Sequence, residues 1–242
     1  MAQNPVLNEQ VFRRSEAHSF QTTRPMTLQG TINKTFLLLF ICVLGGMIAW
    51  TNPGTWSLYS WWTLLGAFVI ALITSFKPTL SPVLSPIYAF AEGLFLGTLS
   101  AAYNTQFHGI VFNAIAATIL VFFVMLILYT TGVIQVTRRL LITIFSATVA
   151  ICLLYVGSWI LSLFGVSTAH LTSSSPLSIG ISVIVCLVAA FNFLLDFHFI
   201  DQMTQRYTTP KYMEWYSAFG LLVTLIWLYV EILNLLGKTQ NR

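Results

Sequence analysis

The sequence predicts an all-α, polytopic membrane protein built as a bundle of seven transmembrane helices. Of its 242 residues, 57% are hydrophobic and only 7% are charged, whereas a soluble domain carries about 25% charged residues. Apolar runs of membrane-spanning length recur along the chain, and the loops between them are short. Such a chain lacks the polar side chains to cover a water-facing surface, so the lipid bilayer is its solvent.

Seven segments have the length and composition of a span, since about 20 apolar residues cross the hydrocarbon core as a helix. The predicted spans are residues 35–50, 58–76, 84–103, 110–130, 140–164, 177–199 and 212–236. Glycine, proline and serine at the breaks favour turns. The sequence therefore predicts a polar, mostly disordered N-terminal tail over residues 1–34, too long and too mixed for a signal peptide, and one transmembrane domain over residues 35–238.

The basic residues fall almost entirely on one side of the predicted bundle. Nine of the 11 Lys and Arg residues lie in the tail and in the loops after spans two, four and six, and the other inter-span loops contain none. The positive-inside rule therefore predicts a cytoplasmic N-terminus. Seven full crossings would place Lys238 and Arg242 outside, whereas a re-entrant last span would return the C-terminus to the cytoplasmic side.

Several classes of protein are disfavoured by the polar residues. The net charge of +4 does not indicate nucleic-acid binding, because the basic residues sit in short loops. Cys42, Cys152 and Cys186 lie inside apolar runs without metal-site spacing. The four histidines do not converge at one depth as a zinc hydrolase requires. No GxGD stretch marks an intramembrane aspartyl protease, and span seven has no lysine before Lys238 of the kind that a retinal protein would need. We therefore expect no enzyme and no resident cofactor.

Three acids lie within the apolar runs, at Glu92, Asp196 and Glu231. An acid at the centre of a membrane helix costs roughly 2.5 kcal/mol or more, so each is a candidate functional residue. The structural alternative is that an acid holds helices together or reaches water near a helix end. The presence of three such acids favours a functional role.

Span seven carries a polar stripe on one helical face, because its small and polar residues recur at steps of three and four. The stripe consists of Ser217, Gly220, Thr224, Trp227, Glu231 and Asn234. We expect this face to contact other helices, and we expect Leu222, Leu225 and Ile226 to face lipid or apolar neighbours. In span three, Gly93 and Gly97 belong to a ladder of small residues that permits close helix packing.

Asp196 and Glu231 lie at different depths if both helices are straight. Asp196 is a few residues from the cytoplasmic end of span six, whereas Glu231 is on the order of 25 Å above the inner end of span seven. They could meet only if residues 212–216 run along the inner surface before the helix turns inward, as their aromatic and charged side chains allow. Glu214 is an alternative partner at the depth of Asp196.

Four stretches resemble the transmembrane Bax inhibitor motif family, particularly its bacterial branch: residues 89–97, 195–201, 210–216 and 228–234. The resemblance, which extends from about residue 30 to the end, implies a seven-helix fold with the last helix central and a location in the bacterial inner membrane.

That resemblance also implies a pH-sensitive Ca²⁺ leak governed by a carboxylate pair on helices six and seven. Here those positions correspond to Asp196 and Glu231, which would hold Ca²⁺ transiently, with Glu92 lining or bracing the path. Lys77 is the candidate latch for the closed state, and Arg206 and Glu214 are further candidate partners.

The alternative is a regulatory membrane protein that binds a quality-control protease or another membrane protein and passes no ion. The tail and the cytoplasmic loops would then carry the function, and the buried acids would be structural.

Overall fold

The computed structural model of the protein describes residues 25–165, 173–206 and 209–241. This part of the chain contains seven long α-helices: α1 (Leu28–Thr51), α2 (Pro53–Phe76), α3 (Ser81–Gln106), α4 (Ile110–Thr130), α5 (Arg138–Leu163), α6 (Pro176–Arg206) and α7 (Met213–Gln240). A short 3₁₀ turn at Pro78–Leu80 connects α2 to α3. All seven helices are long and apolar enough to cross a membrane, so the predicted all-α, seven-span class is confirmed.

The first helix begins earlier than the hydropathy of the sequence suggests. It starts at Leu28 rather than at residue 35. Thr27 caps it, since the Thr27 side-chain oxygen accepts the Gly30 amide at 3.0 Å, and such a cap stabilises a helix start even where the first turns are polar. Residues 28–34, expected in the tail, are therefore helical. Residues 1–24 of the predicted tail lie outside the described residues.

The described chain divides into two compact units. The described residues of the first unit fall within Met1–Gln106 and Asp196–Val223, and those of the second fall within Phe107–Leu195 and Thr224–Arg242. The first unit thus contains α1, α2 and α3, and the second contains α4 and α5. Helices α6 and α7 each contribute one segment to both.

Within the first unit, α1 and α3 approach each other through glycine. A Cβ atom added at Gly45 would lie 2.6 Å from the Phe90 carbonyl oxygen, and one added at Gly97 would lie 2.8 Å from Cα of Gly46. A Cβ at Gly93 would likewise overlap the backbone of Cys42. Only residues without a side chain permit this backbone contact. The small-residue ladder of α3 therefore lies against α1.

The helices differ widely in how much of their surface is enclosed. Of the 18-residue apolar segment of α7, 56% of the residues are buried, whereas only 11% are buried in the corresponding segments of α2 and α5. In α7, Ser217 and Thr224 of the polar stripe are buried, but Leu222 and Leu225 of the opposite face are buried as well. A helix that is apolar over most of its circumference is typically enclosed, so these leucines have apolar protein neighbours rather than lipid.

Candidate functional site

The three acids predicted from the apolar runs are all buried. Glu92 in α3 is 8% exposed, Asp196 in α6 is 1% exposed, and Glu231 in α7 is 4% exposed. Glu92 interacts electrostatically with Tyr88 and Cys42 in the first unit. Asp196 belongs to the first unit and Glu231 to the second. Two of the acids thus belong to the first unit and one to the second.

Glu231 is held by two hydrogen-bond donors that carry no charge. The Tyr155 hydroxyl of α5 donates to both carboxylate oxygens, at 2.9 Å to Oε1 and 3.0 Å to Oε2. Trp227, one turn earlier on α7, donates its indole N–H to Oε1 at 3.3 Å. These bonds fix the orientation of the carboxylate, and hydrogen bonds to an ionised acceptor are stronger than neutral ones.

A buried lysine belongs to the same group of side chains. The Lys238 ammonium donates to the Ser182 hydroxyl oxygen of α6 at 2.8 Å, and the residue is 8% exposed. Lys238 interacts electrostatically with Glu231 and with Cys186. We call Tyr155, Ser182, Cys186, Trp227, Glu231 and Lys238 the Glu231 cluster. It lies entirely within the second unit.

A second polar group surrounds Glu214 in the first unit. Thr27 donates both its backbone N–H and its hydroxyl to Glu214 Oε1, each at 2.9 Å. The Lys34 ammonium forms an ion pair with Oε2 of the same carboxylate. Lys34 also lies over the Trp215 ring, 5.5 Å from its centroid, at a distance where a cation is attracted to an aromatic face. We call Thr27, Lys34, Glu214 and Trp215 the Glu214 cluster.

Backbone contacts hold the same two segments together. The Met26 amide donates to the Thr209 carbonyl at 2.8 Å, and Pro25 and Pro210 form an antiparallel bridge. A Cβ atom on Gly30 would overlap the Glu214 carboxyl group, so the first turn of α1 lies directly against that side chain. Residues 25–27, just before α1, are therefore docked on the start of α7 and the residues before it.

The sequence matches the profile of the family described as Bax inhibitor 1 like over residues 4–241. The chain belongs to this family. A match of that extent covers both units and both clusters, and it confirms the resemblance inferred from the sequence. Comparison with curated proteins finds no significant match.

For this member of the Bax inhibitor 1 like family, the structure adds a basic partner that the sequence analysis did not predict. Glu214 forms an ion pair with Lys34. Lys77 is exposed at the end of α2 and makes no ion pair within the described residues. The side chain of Arg206 lies outside the part that the structure describes.

Two lysines of the site were missed by the sequence reasoning. Lys34 was assigned to the tail, and Lys238 was considered only for orientation. A threonine such as Thr27 ahead of an apolar helix is a recognisable cap signal, and it would have placed Lys34 inside α1. For Lys238, its spacing of seven residues from Glu231 on one helical face was the available signal.

The described residues contain no group of three or more His, Cys, Asp or Glu side chains that could hold a metal ion. Calcium prefers six to eight oxygen ligands. An ion near either cluster would therefore need hydroxyl, carbonyl or water oxygens in addition to a single carboxylate.

Proposed function

We propose that this protein is a pH-sensitive cation leak of its membrane, with Ca²⁺ as the ion and Asp196 and Glu231 as the gating acids. The observation that supports it most is the burial of three carboxyl groups, Glu92 included, inside apolar spans. Such groups are costly in a bilayer and typically mark ion or proton paths. Membership of the Bax inhibitor 1 like family favours the same function.

Protonation of a buried carboxyl group is the proposed gating event. A buried carboxyl group that gains a proton loses its charge, and the electrostatic free energy of its surroundings changes steeply because the local dielectric constant is low. At Glu231, the Tyr155 hydroxyl that donates to the carboxylate also has lone pairs that can accept from the protonated acid. The side chain thus keeps a hydrogen-bond partner in both states, while the net charge of the Glu231 cluster changes by one.

The orientation in the membrane follows from the charges along the chain. The N-terminus lies on the cytoplasmic side, because the basic loops alternate with uncharged ones, and the resemblance to the bacterial branch of the family favours the bacterial inner membrane. The protein has no catalytic role and no resident cofactor, and Ca²⁺ is its cargo. Carboxylate oxygens are suitable hard ligands for transient binding of that ion.

A second candidate function is a regulator that binds another membrane protein. The docking of Met26 and Thr27 on the start of α7 favours it. A partner that engaged the preceding tail would act on the segment that holds Glu214, and through it on α7. In this case the protein would alter its partner without passing an ion.

A flux assay in liposomes separates the two functions. Purified protein is reconstituted with a Ca²⁺ indicator inside the vesicles, and influx is recorded while the external pH is stepped between acid and neutral values. The variants are Asp196→Asn and Glu231→Gln, and Asp201→Asn is a matched control on the same helix. We expect wild type and the control to leak with pH dependence, and the two variants to lose that dependence.

Two results would contradict the proposed function. If both variants keep the wild-type pH dependence, these acids do not gate it. If wild type passes no Ca²⁺ at any pH, the regulator becomes the preferred function.

A further inference from the structure

Lys238 is directed inward although it lies near the end of a membrane-spanning helix. Lysines near helix ends usually extend toward the interface, where the ammonium stays hydrated. Here the residue is buried, and its ammonium donates to Ser182 in the neighbouring helix. The cost of enclosing this charge requires an electrostatic partner.

Helix geometry points the lysine at Glu231. The two residues are seven positions apart on α7, so they lie on one face about two turns apart. Side chains on a helix tilt toward its N-terminus, so the Lys238 stem runs back toward the acid. Cys186, one turn along α6 from Ser182, interacts electrostatically with both charged groups.

The charged residues of the second unit make Glu231 the expected electrostatic partner of Lys238. Glu231 is the sole acid in the sequence of that unit, whose other basic residues are Arg138, Arg139 and Arg242. The ionisable groups that face the pair are Tyr155 from α5 and Cys186 from α6. Neither carries a charge in its ordinary protonated form, so the balance of charge is between the lysine and the acid.

Hydroxyl groups extend this polar face along α6. Ser178 lies one turn before Ser182, is fully enclosed, and its hydroxyl makes no hydrogen bond within the described residues. The Ser182 hydroxyl, which contacts Lys238, joins the Glu231 carboxylate and the Tyr155 hydroxyl as a hard oxygen ligand of the kind that Ca²⁺ and other small cations bind.

We propose that the Lys238 ammonium is a tethered counter-ion that occupies, in the Glu231 cluster, the place a mobile cation would otherwise take. The lysine cancels the attraction of the carboxylate for Ca²⁺ and so limits cation binding and passage in the second unit. Removing its charge exposes a cation site formed by Glu231 with the neighbouring hydroxyls. The effect on leak rests on the proposed function, whereas the effect on binding does not.

The test compares Lys238→Met, which removes the charge, with Lys238→Arg, which keeps it. Lys211→Met, at an exposed position, is the control for loss of one positive charge. Binding of ⁴⁵Ca²⁺ to the purified full-length protein and Ca²⁺ leak in vesicles are measured at neutral pH. We expect K238M to tighten Ca²⁺ binding and raise leak by roughly tenfold, equivalent to about 1.4 kcal/mol. K238R and K211M should match wild type.

A double variant separates electrostatics from damage to the fold. Adding Glu231→Gln to K238M should abolish the gained binding, because the carboxylate is the proposed ligand, whereas a merely loosened helix bundle would stay leaky. Lys238→Gln replaces K238M if the latter does not fold. If no variant leaks and K238M still binds Ca²⁺ more tightly, the proposed leak function is wrong but the counter-ion proposal is supported. If charge-removing variants bind and leak as wild type does, or if the double variant keeps the gain, the counter-ion proposal is wrong.

Discussion

The Glu214 cluster and the Glu231 cluster place two buried carboxylates of one helix in opposite chemical settings. Glu214 meets a lysine directly and accepts two further bonds from Thr27. Among the described residues, Glu231 accepts hydrogen bonds only from neutral donors, and the nearby lysine ammonium is bonded to a serine instead. A carboxylate whose charge is matched by contact resists protonation more than one held by neutral groups. The first cluster is therefore suited to hold the chain together, and the second to change state.

The largest effect is expected where the contact ion pair is broken. Lys34→Met leaves Glu214 enclosed without its cation, which should destabilise the protein by about 3–5 kcal/mol. Unfolding in detergent micelles by SDS titration measures this loss, and Lys77→Met, at an exposed lysine, should change stability little. Replacing Glu214 by Gln in the Lys34→Met background should restore much of the stability. A double variant as unstable as the single one would show that the unpaired charge is not the cause.

A smaller loss is expected from crowding the Glu214 cluster. Gly30→Ala places a Cβ atom against the Glu214 carboxyl group, and such overpacking typically costs about 1–3 kcal/mol. Gly66 is also helical but has open space around it, so Gly66→Ala is the matched control and should be neutral or slightly stabilising. Equal stability of both variants would mean that α1 can shift away from Glu214 without loss.

The smallest effect on stability is expected in the Glu231 cluster. Tyr155→Phe removes the hydroxyl that donates to both Glu231 oxygens, and hydrogen bonds between membrane helices contribute about 0.6–1.7 kcal/mol. The same SDS titration gives the loss, and the liposome assay should show an altered pH dependence of leak. A loss of stability as large as that of Lys34→Met would show that the Glu231 cluster stabilises the fold as much as the Glu214 cluster does.

The number and type of helices could be predicted because the length of an apolar run is a local property of the sequence. The run at 110–130 coincides with α4. The predicted start of the first helix was too late, because Gln29, Asn33 and Lys34 lower the local hydropathy. Thr27 nevertheless caps a helix that begins before them. Hydropathy reports which residues tolerate lipid, whereas a helix end depends on capping bonds.

The acids of the site could be found from sequence, but their partners could not. A charge in an apolar run stands out wherever the chain folds. The Lys34–Glu214 pair joins residues 180 positions apart, and only the packing of α1 beside α7 brings them together. Lys238 illustrates a different limit, since hydropathy alone does not reveal whether a lysine in the last turn of a helix points to water or back into the bundle.

The length of α6 has a consequence for Asp196. A helix of 31 residues is about 46 Å long, whereas the hydrocarbon core is about 30 Å thick. Tilting the helix does not remove this difference in length, so the last turns of α6 project beyond the acyl chains. With Pro176 at one edge of the core, the opposite edge falls about 20 residues later, at Asp196. This carboxyl group, although enclosed by protein, then lies near the headgroup level, where a charge costs less than at the centre of the core.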